Sequence, residues 1–219
     1  MGESVNMTRR TMLTASAAGA CALALGAVAV SSDEAAASEG SSGSDAQGMR
    51  YGFLTALSRC AGCGRCVEAC RKENGLSDDT PDRRHVSAFK RSRGRTFFIS
   101  TSCMHCADPS CMKVCPAGAI SKDGNGVVKV DSDLCIGCKY CYQACPYGVP
   151  QYNSVSMDKC DCCQKSGVAI GEEDPYCVRA CKFGALKFGP LDELLEATNG
   201  AAVPIAEPND PSCLVLGTE

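Results

Sequence analysis

The sequence contains no tryptophan, two histidines and few aromatic residues, 5% in all. A chain of 219 residues so poor in large side chains builds a thin hydrophobic core, so something besides apolar burial must hold it together. His85 and His105 are too few to support a Ser/His/Asp catalytic set, and no glycine-rich dinucleotide loop is present. Nor do the thiols left over from the groups described below form a C-x3-C-x2-C radical arrangement. These absences argue against an enzyme that makes or breaks substrate bonds itself. The formal net charge of -3 is nearly balanced and changes little when the N-terminal leader is discounted. It gives no argument for nucleic acid or for an acidic substrate.

What the chain does have is nineteen cysteines, bunched in fours. Cys135, Cys138, Cys141 and Cys145 stand at C-x2-C-x2-C-x3-C with Pro146 directly after. Cys60, Cys63, Cys66 and Cys70 repeat the spacing; Cys103, Cys106, Cys111 and Cys115-Pro116 repeat it with two extra residues before the third thiol. Cys160, Cys163, Cys177 and Cys181 keep the opening and closing pairs around a long insertion.

Such a run lets three sulfurs on a tight loop converge on one iron–sulfur cube, while the fourth points at a second cube. Disulfide frameworks instead scatter their cysteines, because bridges between near neighbours close loops too small to constrain much. A zinc site could be assembled from Cys160, Cys163, Cys177 and Cys181, yet zinc does not explain a third and fourth thiol repeated at these spacings. The sixteen thiols predict four 4Fe-4S clusters as cofactors, with no catalytic residue. The other opening pairs select Cys163 over Cys162 as the ligand, leaving Cys162, Cys213 and Cys21 spare.

Because the fourth cysteine of each run serves a partner's cluster, the runs must pair. Numbered in chain order, runs two (Cys103 to Cys115) and three (Cys135 to Cys145) share a Cys-Pro ending, whereas runs one (Cys60 to Cys70) and four (Cys160 to Cys181) have Arg71 and Lys182 there. The simplest pairing is nested. Cys145 then completes the set of Cys103, Cys106 and Cys111, and Cys115 that of Cys135, Cys138 and Cys141. Likewise Cys181 completes Cys60, Cys63 and Cys66, and Cys70 completes Cys160, Cys163 and Cys177. The fold class expected is α+β, a nested double ferredoxin-like fold. An inner unit over residues 101–152 is inserted in an outer unit over 50–100 and 153–190.

At the N-terminus, Arg9-Arg10, a mild apolar stretch to Val30 and Ala35-Ala36-Ala37 resemble a twin-arginine signal over residues 1–37. The alternative is a basic pair before a short anchor, but the stretch is diluted by Gly, Ser and Thr. Residues 38–49 form a polar linker. Hairpins are expected between His85 and Ser100 and around Asp123-Gly124-Asn125-Gly126. The stretch holding Arg83, Arg84, Lys90, Arg91, Arg93 and Arg95 is the most basic, fitting either a charged strand edge or a docking face. His105, between Met104 and Cys106, is expected to pack or hydrogen-bond rather than to ligate. Residues 191–219 read as a short helix and an extended tail.

The stretches Ser102 to Pro116 and Cys135 to Tyr152 together resemble the four-cluster iron–sulfur subunit of dimethyl sulfoxide reductase-type molybdoenzymes. The resemblance covers about residues 50–219. It implies an electron-transfer subunit in anaerobic respiration, clamped between a molybdopterin catalytic subunit and a membrane anchor subunit that handles quinone. It also implies that runs one and four face the catalytic subunit, and runs two and three the membrane side. Tetrathionate, thiosulfate and nitrite-linked branches remain alternatives, and the leader implies a peripheral place on the outer face of the cytoplasmic membrane.

Overall fold

The computed structural model describes residues 48–90 and 94–217. The segment read as an export signal, most of the linker and the tip of the basic hairpin lie outside the described residues.

Strand β1 (Tyr51–Ala56) buries every residue after the first, which suits a strand covered on both faces. It lies inside a sheet of order β8 (Leu186–Pro190), β1, β10 (Cys213–Leu216), β9 (Ala202–Pro204). β8 runs antiparallel to β1 with Phe188 opposite Phe53, and β10 runs parallel to it with Cys213 opposite Phe53. The C-terminal stretch is therefore more than an extended tail: it supplies two strands, one of them beside β1. The apolar run Cys213-Leu-Val-Leu216 is short and follows a proline, so it reads as tail until its partner is known. Helix α5 (Leu191–Glu196) closes this sheet, packing Leu191, Leu194 and Leu195 with Leu54, Ala202 and Leu214.

Three hairpins carry the rest of the strand content. β2 (His85–Lys90) pairs with β3 (Thr96–Thr101), and β4 (Ile120–Lys122) with β5 (Val128–Val130). In the second of these turns Asp123 Oδ1 accepts the N–H groups of Asn125 at 3.0 Å and Val127 at 2.9 Å. β6 (Gln151–Tyr152) pairs with β7 (Met157–Asp158) across a turn in which Asn153 Oδ1 accepts the N–H groups of Val155 and Ser156. These carboxylate and amide caps explain why short polar runs turn sharply here.

The remaining α-helices among the described residues are cysteine carriers. α1 (Arg65–Glu73) holds Cys66 and Cys70; α2 (Ser110–Lys113), α3 (Tyr140–Ala144) and α4 (Tyr176–Arg179) hold Cys111, Cys141 and Cys177 and end just before Cys115, Cys145 and Cys181. Pieces this short do not persist alone and depend on what they pack against. α1 packs on α4, and α2 packs on α3. Among the described residues no helix is long and apolar enough to cross a membrane.

Candidate functional site

In each of the four runs the residue just before the second cysteine has a positive φ: Gly62 at 69°, His105 at 42°, Gly137 at 67° and Cys162 at 57°. Two runs use glycine, for which this conformation is free of strain, and the others bear the cost with a side chain. The shared backbone puts Cys162 at the turn position and Cys163 at the equivalent of Cys63, Cys106 and Cys138. All eighteen cysteines among the described residues are free thiols, so none is used as a staple.

The thiols gather in groups that mix distant runs. Cys60, Cys63, Cys66 and Cys181 line one recess of about 380 Å³. Cys103, Cys106, Cys111 and Cys145 line a second of about 370 Å³, and Cys115, Cys135, Cys138 and Cys141 a third of about 310 Å³. Cys70 has Cys160, Cys177 and Cys163 as its electrostatic neighbours and forms the fourth group with them. In each group three thiols come from one run and one from another.

Electrostatics show what such groups require. Burial pushes the Cys106 thiol up to about 12, and Cys103, Cys111 and Cys145 add to the shift. Cys111 is raised to about 11, by burial first and by Cys103 next, with Lys159 opposing. Burial likewise raises Cys177 to about 12, against the pull of Arg84. Four crowded thiols cannot all ionise by themselves; a bound cationic metal core makes thiolates of them. The donor set is soft and sulfur-only, which fits an iron–sulfur core.

Polar groups reach several of these sulfurs. Asn74 Nδ2 lies 3.5 Å from Cys163 Sγ, Ser100 Oγ 3.3 Å from Cys66 Sγ, and Tyr152 Oη 3.0 Å from Cys141 Sγ. The Met157 N–H donates to Cys135 Sγ at 3.4 Å. Sequence reasoning missed all of them, because a single Asn, Ser or Tyr carries no signal until the fold brings it to a sulfur.

The spare groups have clear environments. His105 is 1% exposed; its Nδ1 accepts the Val128 N–H at 3.1 Å, so Nε2 holds the proton and faces Cys162 Sγ at 3.3 Å. His105, Cys160 and Cys162 present donor atoms within 4.8 Å of one another, but the ring has no free lone pair for a metal. The imidazole packs and hydrogen-bonds. Cys160 is held well below the usual thiol value, chiefly by the Cys162 hydrogen bond, with burial opposing and His105 assisting. Burial and the Cys160 hydrogen bond raise the Cys162 thiol, so of this pair Cys160 is the better suited to bind a metal as thiolate. Cys213 is buried with Sγ 3.8 Å from the Cys103 carbonyl, and Cys21 lies outside the described residues.

Two arginines of the basic stretch turn inward, which removes them from any charged edge or docking face. Arg83 grips Asp158 through Nε at 2.8 Å and Nη2 at 2.7 Å, and Arg84 is 1% exposed. Paired arginines beside a strand start read as surface from composition; the depth of Arg84 follows from packing against Ser100 of β3 and Phe53 of β1, and that of Arg83 from Asp158 of β7.

Family models agree with this geometry. Two, each described as a 4Fe-4S dicluster domain, match residues 59–119 and 95–191. Among curated proteins, the B subunit of the anaerobic dimethyl sulfoxide reductase of Shigella flexneri is 44% identical over 163 residues, covering 66% of this chain and 76% of the relative. The probable anaerobic dimethyl sulfoxide reductase subunit YnfG of Escherichia coli (strain K12) is 42% identical over 176 residues, 71% of this chain and 82% of the relative. Protein NrfC of the same strain is 42% identical over 154 residues, covering 67% and 68%. With ferredoxin-type dicluster domains, sulfur-only donor groups and this degree of identity, the chain belongs to the family of iron–sulfur subunits of dimethyl sulfoxide reductase-type enzymes.

Proposed function

We propose that this chain relays electrons through four 4Fe-4S clusters between a quinone-reactive membrane subunit and a molybdopterin catalytic subunit. The observation that carries the reading is the exchange of fourth cysteines, since each of the four thiol groups borrows one member from another run. The ligand sets are Cys60, Cys63, Cys66 and Cys181; Cys70, Cys160, Cys163 and Cys177; Cys103, Cys106, Cys111 and Cys145; and Cys115, Cys135, Cys138 and Cys141. The packing of α1 on α4 and of α2 on α3 supports a nested pair of ferredoxin-like units. When bound, each cluster supplies a one-electron couple.

The protein's own work is to hold, tune and insulate. Thiolates fix each core, and the N–H of Met157 and the Tyr152 hydroxyl aim positive dipoles at sulfur, which favours the more negative, reduced form. Buried Val127, Val128 and Met157 keep water from the sulfurs. Around Cys138, the exposed Leu134, Ile136, Tyr140 and Tyr142 form an apolar rim suited to a neighbouring subunit, with Ile136 69% exposed. We place the membrane anchor subunit there and the catalytic subunit at the other end of the chain of clusters, next to the outer unit. Residues 1–37 act as a twin-arginine signal, so the subunit works as a peripheral protein on the outer face of the cytoplasmic membrane.

The test is to isolate membranes with the intact complex, add a short-chain quinol, and follow the clusters by electron paramagnetic resonance. Reduced-cluster signals should appear and then vanish when one of dimethyl sulfoxide, tetrathionate, thiosulfate or nitrite is added. Clusters that quinol never reduces, in a complex that also lacks molybdopterin, would refute the proposal.

A further inference from the structure

Arg84 and Arg83 are adjacent, yet their partners differ in kind. Arg83 has two carboxylates, Asp158 at 2.7 Å and Asp161 at 3.5 Å. Arg84, more deeply buried, has no carboxylate within ion-pair distance among the described residues. Its Nη1 donates to Ser100 Oγ at 3.1 Å and its Nη2 to Ser102 Oγ at 2.9 Å, and its guanidinium lies 4.4 Å from the centre of the Phe53 ring. All three are neutral. A buried guanidinium with only neutral partners would be strongly destabilising unless other negative charge lay close by.

That charge is sulfur. The sulfurs that neighbour the guanidinium are those of Cys177, Cys160, Cys66 and Cys70, and ligation of a metal core would make thiolates of all four. Of these four, Cys66 belongs to the first thiol group and the others to the fourth. Arg84 thus neighbours both groups of the outer unit, reaching the first through Ser100.

We propose that Arg84 is a fixed counter-charge shared by the two outer clusters, raising both reduction potentials, and that it also sets the direction of the Ser100 hydrogen bond to Cys66. This rests on the four-cluster reading above. A core with four thiolates is net negative and gains one more negative charge on reduction, so a permanent cation beside two of them favours the reduced form of each. Arginine only donates, so Ser100 Oγ must accept from Arg84, and its single hydroxyl proton is left for the Cys66 sulfur 3.3 Å away. One side chain therefore acts on the first cluster twice, through space and through Ser100, and on the fourth through space alone.

The test uses the intact complex, with iron content measured first and all four potentials then followed by potentiometric titration with paramagnetic resonance detection. Arg84→Met should lower both outer potentials by at least a tenfold change in the reduced-to-oxidised ratio at fixed ambient potential, about 59 mV for a one-electron couple. The clusters of Cys103 and Cys135 should move much less. Arg84→Lys should restore most of the shift. Ser100→Ala should lower only the cluster that contains Cys66. Full iron with all four potentials unchanged, or all four displaced equally, overturns the proposal. If Arg84→Met loses iron, Arg84→Lys and Ser100→Ala decide: a fully loaded Lys variant that falls as far as tenfold, or a Ser100→Ala variant that leaves the Cys66 cluster unmoved, also overturns it. A wild-type complex without four clusters would instead overturn the reading on which the proposal rests.

Discussion

Replacing Tyr152 by Phe isolates one hydrogen bond to one sulfur. The hydroxyl lies 3.0 Å from Cys141 Sγ, and burial together with Cys141 pushes the phenol up, so it stays protonated. A ligating thiolate can only accept, which makes Tyr152 the donor. Phenylalanine keeps the ring that faces the Lys139 ammonium, 5.5 Å from its centre, and removes the donor alone. A hydrogen bond to a charged acceptor is worth about 1.5–3 kcal/mol, and only the part that grows as the cluster gains an electron moves the potential. Taking roughly a third of it gives about 0.5–1 kcal/mol, or roughly 20–40 mV. Losing the donor weakens the reduced form, so the potential of the cluster held by Cys115, Cys135, Cys138 and Cys141 should fall by that amount. Potentiometric titration of the intact complex reads it directly. A potential that rises or stays put, or an equal fall at another cluster, would refute the reasoning.

The pairing of runs is testable by double substitution. Cys181→Ser should cost up to about four iron atoms, and adding Cys60→Ser should cost no more, whereas adding Cys177→Ser should cost about four further atoms, as iron analysis would show. Lys159 is buried, donates to the carbonyls of Val128 and Cys160, and opposes the rise of the Cys103 and Cys111 thiols. Lys159→Met should lower the potential of the Cys103 cluster and bleach the visible iron–sulfur absorption at a lower temperature than wild type. Asp123 accepts from Gln164 at 2.8 Å and pairs with Lys129 at 3.3 Å as well as capping its own turn. Asp123→Ala should cost about 2–3 kcal/mol, roughly 5–10 °C in the thermal midpoint. Burial raises the Asp123 carboxyl, but hydrogen bonds from Gln164, Val127 and Lys129 outweigh it and hold it below the usual range. Its stabilisation is therefore complete above the unfolded value near ~4 and is lost as pH falls through the lower folded one. Acid bleaching of wild type and variant should converge there.

The sequence made the grouping of the thiols legible because cysteine spacing is a geometric statement. Each run opens with two thiols at x2 and closes with two at x3. Together with the Cys-Pro endings of two runs, this led to the expectation that Cys70, Cys115, Cys145 and Cys181 join the groups of other runs, where the structure places them. The Asp123–Gly126 turn was equally plain, since Asp and Gly there have a conformational reason to be present. The sheet was harder. β10 joins β1 across more than half the chain, and Cys213-Leu-Val-Leu216 holds no mark of its partner. Arg84, Lys159 and Tyr152 were illegible for a related reason: each matters through what the fold places beside it, and composition alone assigns such residues to the surface. His105 was read correctly as a packing group, but its role at the turn position shared with Gly62, Gly137 and Cys162 shows only in the backbone.

The metal inventory of the chain tests the four-cluster reading most directly. Protein purified without oxygen, analysed for iron, zinc and acid-labile sulfide and then by Mössbauer spectroscopy, should hold about sixteen iron and sixteen sulfide per chain, all in cubane cores. Zinc in place of iron, cystines in place of free thiols, or iron at half that level with Cys70 and Cys160 unligated would contradict it.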